Sequence, residues 1–355
     1  LQLLWTIAPL VAGLAMFALT RQLQFLALTA ISPMVVIGNT WHDRRSGRMT
    51  FRAQVEAFRV DLRDQCCRLE AMRTDERRER LRAAPDLADL SRRAELRTVD
   101  LWARGRTSPD FLQLRLGHGP DRVGYAIELD GGGAPELRDE AQAAIAGLDA
   151  LDAVPVVVDL ASDAVIAVHG ERRLVGGVAA SLVVQAAALH SPEDLTTVAA
   201  VAGDLGFEWL RWLPHVRSIA SPVPGDPVVT TIAGADELVT GLLEVSAFRR
   251  GGADHGGTPH RWPRVLVLLD AELCRRTGDV SRLLDIGPPA GISVIWLAGS
   301  LAAVPRHAVR VLGVRCGDGE AMLGRLWSTD PAVADRELEF EHLRRAGAER
   351  VARAL

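Results

Sequence analysis

Residues 154–190 constrain the fold of this chain more than any other stretch. Two β-branched runs, at 156–158 and 164–168, precede a glycine-bearing segment, and the apolar, alanine-rich residues 178–189 follow it. A buried strand, a glycine loop and a buried helix in this order are typical of a parallel α/β sheet. Loops in this position can bind phosphate through backbone N–H groups at the helix N-terminus. The stretch therefore predicts a strand–loop–helix unit with a candidate phosphate loop.

The candidate loop lacks the residues that phosphate binding requires. A P-loop reads G-x-x-x-x-G-K-[ST], with the lysine on the terminal phosphates and the hydroxyl on magnesium. Here five residues separate Gly170 from Gly176, Gly177 stands in the lysine position and Val178 in the hydroxyl position. All 41 basic residues of the chain are arginines, so no distant lysine can substitute. We interpret Gly170, Gly176 and Gly177 as vestigial loop positions, and predict neither a catalytic residue nor a nucleotide cofactor in this segment.

A second nucleotide-like signal follows the apolar strand at residues 265–269. Asp270 stands at the end of that strand, where a nucleotide motor places an aspartate that helps to hold magnesium. Ala271 follows in place of a glutamate, and Glu272 comes one residue later. We interpret Asp270 as a vestigial strand-end residue. One alternative stays open, because Arg172 and Arg173 lie in the loop and a guanidinium can bind phosphate bidentately.

The remaining pattern predicts an α/β fold with a mostly parallel sheet. Apolar strand candidates at 195–202, 291–297 and 309–314 alternate with helical segments and turns. We predict a degenerate ATPase-like domain at residues 154–332 and a small α/β part at 107–153. Residues 333–355 are predicted to form a closing amphipathic helix, or a linker to further domains.

The N-terminal 42 residues predict a transmembrane hairpin. Residues 1–19 and 23–38 carry no charge and are separated by a short polar break, which disfavours a signal peptide or a buried core hairpin. Arg44, Arg45, Arg48 and Arg52 cluster after the second stretch, so the bulk of the chain is predicted on the cytoplasmic side of the cytoplasmic membrane.

A helical stalk is predicted at residues 43–106. Apolar residues recur there at steps of three, four or seven: Phe51, Val55, Phe58, Leu62, Leu69 and Met72. Residues 44–106 contain 17 arginines and 11 acidic residues, an excess of six positive charges. This excess suits contact with lipid headgroups or a partner, or simply a solvated helix pair beside an anionic membrane.

Composition excludes other classes of partner. The formal net charge of −4 over 355 residues gives no support for nucleic-acid binding, and the four cysteines form no C-x-x-C pair. The aromatic patch at 207–215 indicates local packing rather than a ligand cage. His255 and His260 lack a third metal ligand nearby, so no metal site is predicted.

Several motifs together resemble one family. They are Leu101-Trp102 with SPDFL at 108–112, ALHSPEDL at 188–195 and FEWLRWLPH at 207–215, behind the predicted hairpin and stalk. In this order they resemble the N-terminal part of the membrane ATPase of type VII (ESX) secretion systems, the EccC/EssC branch of the FtsK/SpoIIIE motors.

The resemblance implies a degenerate P-loop (RecA/FtsK-like) domain that precedes the true motor domains. ATP and magnesium would bind only in those downstream domains. It implies as partners other membrane components of the secretion complex, further copies of the same protein in a hexameric assembly, and membrane lipid. The predicted function is a membrane anchor and non-catalytic coupling segment. The alternatives are a regulatory nucleotide-binding domain and an FtsK-type DNA translocase.

Overall fold

A computed structural model of the chain describes residues 51–254, 262–317, 322–329 and 333–355. The predicted transmembrane hairpin, residues 1–42, lies outside the described residues, as do His255 and His260.

The described elements follow one another as helices and strands in alternation. In chain order they are α1 (Phe51–Ala83), α2 (Leu87–Leu96), β1 (Gln113–Arg122), α3 (Pro135–Ile145), β2 (Ala150–Asp159), β3 (Val165–Gly170), α4 (Arg172–Leu189), β4 (Leu195–Ala200), β5 (Val228–Val229), α5 (Ile232–Asp254), β6 (Arg264–Asp270), α6 (Thr277–Ile286), β7 (Ile292–Ala298), β8 (Arg310–Cys316), β9 (Met322–Ser328), β10 (Arg336–Phe340) and α7 (Arg345–Ala354). Short 3₁₀ helices occupy Gly203–Leu205, Glu208–Trp212, Pro288–Ala290 and Leu301–Ala303.

The chain divides into two units. Among the described residues, the first unit contains 51–79 and 121–152, and the second contains 80–120, 153–254, 262–317, 322–329 and 333–355. The second unit therefore takes in the end of the predicted stalk together with the predicted ATPase-like domain.

In the first unit, α1 uses one narrow stripe for packing. Leu62 and Leu69 are buried and the side chains around them are largely exposed, as the predicted apolar periodicity requires. Arg59 pairs with Glu140 of α3 at 3.0 Å, and the Tyr125 hydroxyl donates to the Leu69 carbonyl at 3.4 Å. The predicted long helix is confirmed over the described residues.

The ten-stranded sheet has the order β2-β1-β10-β9-β8-β3-β7-β6-β4-β5. The six strands from β8 to β5 are parallel to their neighbours, whereas β8–β9, β9–β10 and β10–β1 pair antiparallel. The predicted α/β class with a largely parallel sheet is thus confirmed, and an antiparallel extension is added to it.

Helices cover both faces of the parallel strands. On β6, Leu266 and Leu268 belong to the core beneath α4 and α7, whereas Val265, Val267 and Leu269 belong to the core beneath α5 and α6. Apolar residues at every position are what a strand buried on both faces requires. The helix α4 lies in the interior, with 16 of its residues buried.

Two helical segments differ from prediction. Within the predicted helical stalk, residues 43–106, the second helix ends at Leu96 because Arg97 adopts a left-handed conformation (φ 48°) that caps it. Residues 333–355 are not a linker within the described part. They contribute β10 and α7, and Ala348, Val351 and Ala352 of α7 are buried in the core.

Candidate functional site

The carboxyl ends of β3, β4 and β6 meet at one edge of the parallel sheet, where α/β proteins bind ligands. Between β3, which ends at Gly170, and α4, which begins at Arg172, the connection is only Glu171. Gly170 has φ +141°, and a Cβ there would lie 2.2 Å from the Val314 carbonyl oxygen, so only glycine fits. The glycine-bearing segment predicted as a loop before residues 178–189 is therefore largely helical.

Gly176 and Gly177 are not loop residues. Both are buried in the second turn of α4, the helix predicted to start only at Val178. A Cβ on Gly176 would lie 3.2 Å from Leu205 Cδ2, and one on Gly177 would lie 3.1 Å from His342 Cβ. These glycines allow neighbouring segments to approach the helix closely, and neither one faces a phosphate site.

Arg172, the first residue of α4, fills the space at the strand ends. Its Nε and Nη2 donate to Asp204 at 2.7 and 2.9 Å, and its Nη1 and Nη2 donate to Asp270 at 3.2 and 2.8 Å. The Nη1 group also lies 3.2 Å from Glu272 Oε1. A guanidinium has five N–H donors, and here four hydrogen bonds to two bidentate carboxylates use most of them.

Asp270 is fully buried at the end of β6, and its oxygens are fully used. In addition to Arg172, Oδ1 accepts from the Glu272 backbone N–H at 3.1 Å, and Oδ2 accepts from the Ala202 backbone N–H at 3.2 Å. The predicted vestigial aspartate thus joins the Arg172 cluster, which we define as Arg172, Asp204, Asp270 and Glu272.

Electrostatics hold this cluster together and make it unsuitable for phosphate. Hydrogen bonding to Arg172 lowers the pKa of Asp204, and the same bond raises the pKa of Arg172. One guanidinium faces three carboxylates, so the cluster has an excess of two negative charges. A phosphate group would need the opposite sign of charge here.

Arg173 takes no part in the cluster. Its side chain is 68% exposed, and its Nε lies 3.4 Å from Oε1 of Glu171, two residues earlier in the chain. Within residues 51–254, 262–317, 322–329 and 333–355, no group of three or more His, Cys, Asp or Glu is arranged to hold a metal ion. The residues at the strand ends do not fit a magnesium–nucleotide complex.

The motifs that carry the family resemblance converge at the opposite end of α4. His190 Nε2 accepts from the Leu112 backbone N–H at 3.0 Å, so the ring proton lies on Nδ1 and is donated to the Ala186 carbonyl. His215 Nε2 donates to the His190 carbonyl at 2.8 Å, and Trp102 Nε1 donates to the Ala187 carbonyl at 2.9 Å. Burial lowers the pKa of each histidine to about 4, so both are neutral.

The aromatic patch at 207–215 is largely local packing, as the sequence indicated. Trp209, Leu210 and His215 are buried, whereas Trp212 is 44% exposed. Sequence reasoning did not find Asp204, which lies in a 3₁₀ helix after β4 and carries no motif of its own.

One helix in the described part of the chain is long and apolar enough to cross a membrane. It is α4, with a mean hydropathy of 1.3, and 89% of that window is buried inside the protein. Such burial is characteristic of a core helix, so α4 gives no support to the predicted hairpin.

Comparison with known proteins identifies relatives. No family model matches the chain. The ESX secretion system protein EccC of Thermomonospora curvata is 32% identical over 126 residues, which is 32% of this chain and 9% of that protein. EccC of Geobacillus thermodenitrificans is 27% identical over 205 residues, which is 55% of this chain and 14% of that protein. The ESX-3 secretion system protein EccC3 of Mycobacterium tuberculosis is 32% identical over 161 residues, covering 42% of this chain and 12% of the relative.

The matched stretches thus span less than a sixth of each relative's length. Among solved structures, the cytoplasmic domain of the Thermomonospora curvata type VII secretion ATPase EccC covers 76% of this chain and 34% of its own length. Its TM-score is 0.48 and its sequence identity is 15%. The family resemblance predicted from the sequence motifs is confirmed by the sequence relatives.

Proposed function

We propose that the α/β body of this chain, which is similar to the EccC/EssC branch of the type VII secretion ATPases, couples movement without hydrolysing ATP. The observation that carries the proposal is the Arg172 cluster. Its guanidinium lies at the strand ends, where a working ATPase would hold the phosphates and magnesium of its nucleotide.

Nucleotide binding would require this cluster to be dismantled. Arg172 already makes four hydrogen bonds to carboxylates, and the Asp270 oxygens accept from both Arg172 and backbone N–H groups. A triphosphate entering this site would meet three carboxylates and a one-residue connection in place of a phosphate-binding loop. Each hydrogen bond that a triphosphate formed here would replace a hydrogen bond that the protein already makes.

The same geometry supports a mechanical role. Arg172 follows β3, Asp204 follows β4, and Asp270 ends β6, so one side chain joins the ends of three strands. In a working ATPase a bound nucleotide makes and releases such a connection during each cycle. Here the arginine makes it permanently, and the body would therefore transmit movement as one rigid piece.

We further propose the surroundings in which this coupling acts. Residues 1–42 would anchor the protein in the cytoplasmic membrane as a two-span hairpin, and residues 43–106 would form the stalk. Partners would be the other membrane components of the secretion complex, further copies in a hexameric assembly, and lipid. ATP and magnesium would be bound by motor domains of the longer protein, and the exported substrate is a protein.

Calorimetric titration of the full chain in detergent micelles with magnesium and ATP tests the non-catalytic part. We expect no saturable heat at millimolar ATP, either for the wild type or for Asp270→Ala. Saturable heat that disappears in Asp270→Ala would overturn the proposal. It would favour the regulatory nucleotide-binding alternative, with Arg172 or Arg173 as the phosphate ligand.

The coupling part is tested in the complete secretion ATPase. Arg172→Ala should reduce protein export while leaving ATP hydrolysis by the motor domains unchanged, because the cluster binds no nucleotide. Arg173→Ala is the matched control, since that neighbouring arginine lies outside the cluster. A parallel loss of export and hydrolysis in Arg172→Ala would contradict a purely coupling role.

A further inference from the structure

A cleft of about 630 Å³ lies between the 3₁₀ helix Glu208–Trp212 and α7, away from the Arg172 cluster. Its lining residues are Trp212, Pro214, Arg217, Ala352, Arg353 and Leu355. We call it the Trp212 cleft.

Trp212 is the large aromatic side chain of this region that is not buried in the core. Trp209, three residues earlier, is 2% exposed and belongs to the core, whereas Trp212 is 44% exposed beside the cleft. An indole that remains half in water keeps a large apolar area for a partner to bury. Tryptophan and arginine are also the residues most enriched at the energetic centres of protein interfaces.

The indole is held in a fixed position. The guanidinium carbon of Arg353 lies 4.0 Å from the centre of the Trp212 ring, within the range of a cation–π contact. Arg353 is itself oriented by Glu349, whose Oε1 accepts from Nε at 3.0 Å and from Nη2 at 2.7 Å. Arg353 thus covers one face of the Trp212 ring. A ligand in the cleft would contact the edge of the ring and the arginines beside it.

The charge around the cleft is positive. Arg217 is exposed on the opposite wall, and among the described residues its guanidinium has no carboxylate partner. Arg97 lies close by, with Nη2 3.4 Å from the Ala354 carbonyl. The neighbouring acids are already paired, Glu349 with Arg353, Glu208 with Arg345 and Asp226 with Arg211.

We propose that the Trp212 cleft docks an acidic segment of a second protein, whose aliphatic or aromatic side chain packs against the Trp212 edge. Arg217 and Arg97 would face its carboxylates, and this charge complementarity selects an acidic partner over a neutral one. The cleft is lined by only six residues and one indole face is covered, which favours a short peptide segment over an extended lipid surface. This inference does not depend on the proposed coupling function.

Fluorescence anisotropy of the full chain in detergent micelles tests the proposal. The ligand is a short fluorescein-labelled peptide in which glutamates alternate with leucine and phenylalanine, and the reference is the same peptide with glutamine for glutamate. We expect saturable binding of the acidic peptide that weakens as salt is added, and binding of the glutamine peptide that is weaker by about tenfold or more.

Two variants locate the binding site. Arg217→Glu should weaken the acidic peptide by at least about tenfold, since it replaces an attractive charge by a repulsive one. Arg282→Glu makes the same change at an exposed position of α6, on the other face of the sheet, and should leave binding unchanged. Trp212→Ala should abolish saturation. If that variant loses its fold, Arg217→Glu decides, because the Arg217 side chain is exposed.

Three outcomes would overturn the proposal. The first is an acidic peptide that binds no better than its glutamine counterpart. The second is an equal effect of Arg217→Glu and Arg282→Glu, which would mean that binding follows net charge alone. The third is binding to phosphatidylserine vesicles that is lost in Arg217→Glu while the peptide fails to bind, which would assign the surface to lipid.

Discussion

At the scale of single residues, Arg172 has the largest energetic consequence of any side chain at the strand ends. Asp270 is fully buried, and its carboxylate is stabilised by the guanidinium and by two backbone N–H groups. Arg172→Ala leaves that charge buried with only the backbone donors. We therefore expect the free energy of unfolding to fall by about 3 kcal/mol, measured by urea denaturation near neutral pH.

Arg173→Ala provides the comparison for this prediction. The Arg173 side chain is 68% exposed and contacts only the exposed Glu171, so its removal should change the unfolding free energy by less than about 0.5 kcal/mol. Equal destabilisation by the two substitutions would mean that the cluster contributes nothing beyond an ordinary surface ion pair.

The buried histidines predict a pH dependence. In the folded protein the pKa of His215 is lowered by burial to about 4, from an ordinary value of 6.5. Between these values the unfolded chain takes up a proton that the folded chain excludes, so stability is full above about pH 6.5 and falls as the pH falls towards 4. For this one residue the loss between about pH 7 and pH 5 is on the order of 2 kcal/mol.

His215→Gln separates this contribution from that of the other acids and bases. Glutamine keeps a donor for the His190 carbonyl but cannot be protonated in this range. The wild type should therefore lose about 2 kcal/mol more than the variant between the two pH values in urea denaturation. Identical pH slopes for the two proteins would show that His215 does not titrate with unfolding.

At the scale of secondary-structure elements, the packing of α4 explains its paired glycines. Glycine inside a helix costs about 1 kcal/mol relative to alanine, so two in succession resemble a loop in the sequence. The structure shows what the glycines permit. Gly176 lies against the tip of Leu205, and Gly177 lies against His342, whose neighbour Leu343 donates its backbone N–H to the Gly177 carbonyl at 2.9 Å.

The two glycines should respond differently to alanine. In Gly176→Ala the nearest atom is the flexible end of Leu205, which can move, so the gain in helix propensity gives a change between neutral and about 1 kcal/mol of stabilisation. In Gly177→Ala the nearest atom is His342 Cβ, held by the adjacent backbone hydrogen bond, and we expect destabilisation by about 1–3 kcal/mol. Thermal unfolding of both variants tests the contrast, and a shift of the same sign in both would contradict it.

The sequence predicted some elements well and others poorly, for physical reasons. The parallel strands β3, β6 and β7 are buried along most of their length, so each one contains an apolar run that stands out in the sequence. The antiparallel strands β9 and β10 mix charged and apolar residues, and β10 lies in a stretch that also suits an amphipathic helix. Periodicity alone does not separate these alternatives.

The candidate site was predicted in part. Gly170 and Asp270 were identified because each one stands at the end of a recognisable strand. The absence of the P-loop lysine and hydroxyl residue is also visible directly in the sequence. The start of α4 and the role of Asp204 were missed. Asp204 follows β4, which lies three strands from β3 in the sheet, and it contacts Arg172 at the end of β3. This contact depends on the order of the strands in the sheet, so it leaves no local pattern in the sequence.

At the scale of the whole molecule, the core is distributed unevenly between the two units. In the first unit the described buried apolar residues are few, and α3 buries only Ala141. In the second unit six of the seven residues of β6 are buried between two helical layers. Local opening free energy follows buried apolar contact, so the two units should differ in the stability of their backbone hydrogen bonds.

Hydrogen–deuterium exchange of the full chain in detergent micelles would measure this difference. Peptides covering α3 should exchange at least about 100-fold faster than peptides covering β6, a ratio that corresponds to roughly 3 kcal/mol of opening free energy. Gly177→Ala should speed exchange in α4 and leave the α3 peptides unchanged, because α4 belongs wholly to the second unit. Equal protection of α3 and β6, or acceleration of both by the substitution, would instead mean that the described chain opens as a single cooperative body.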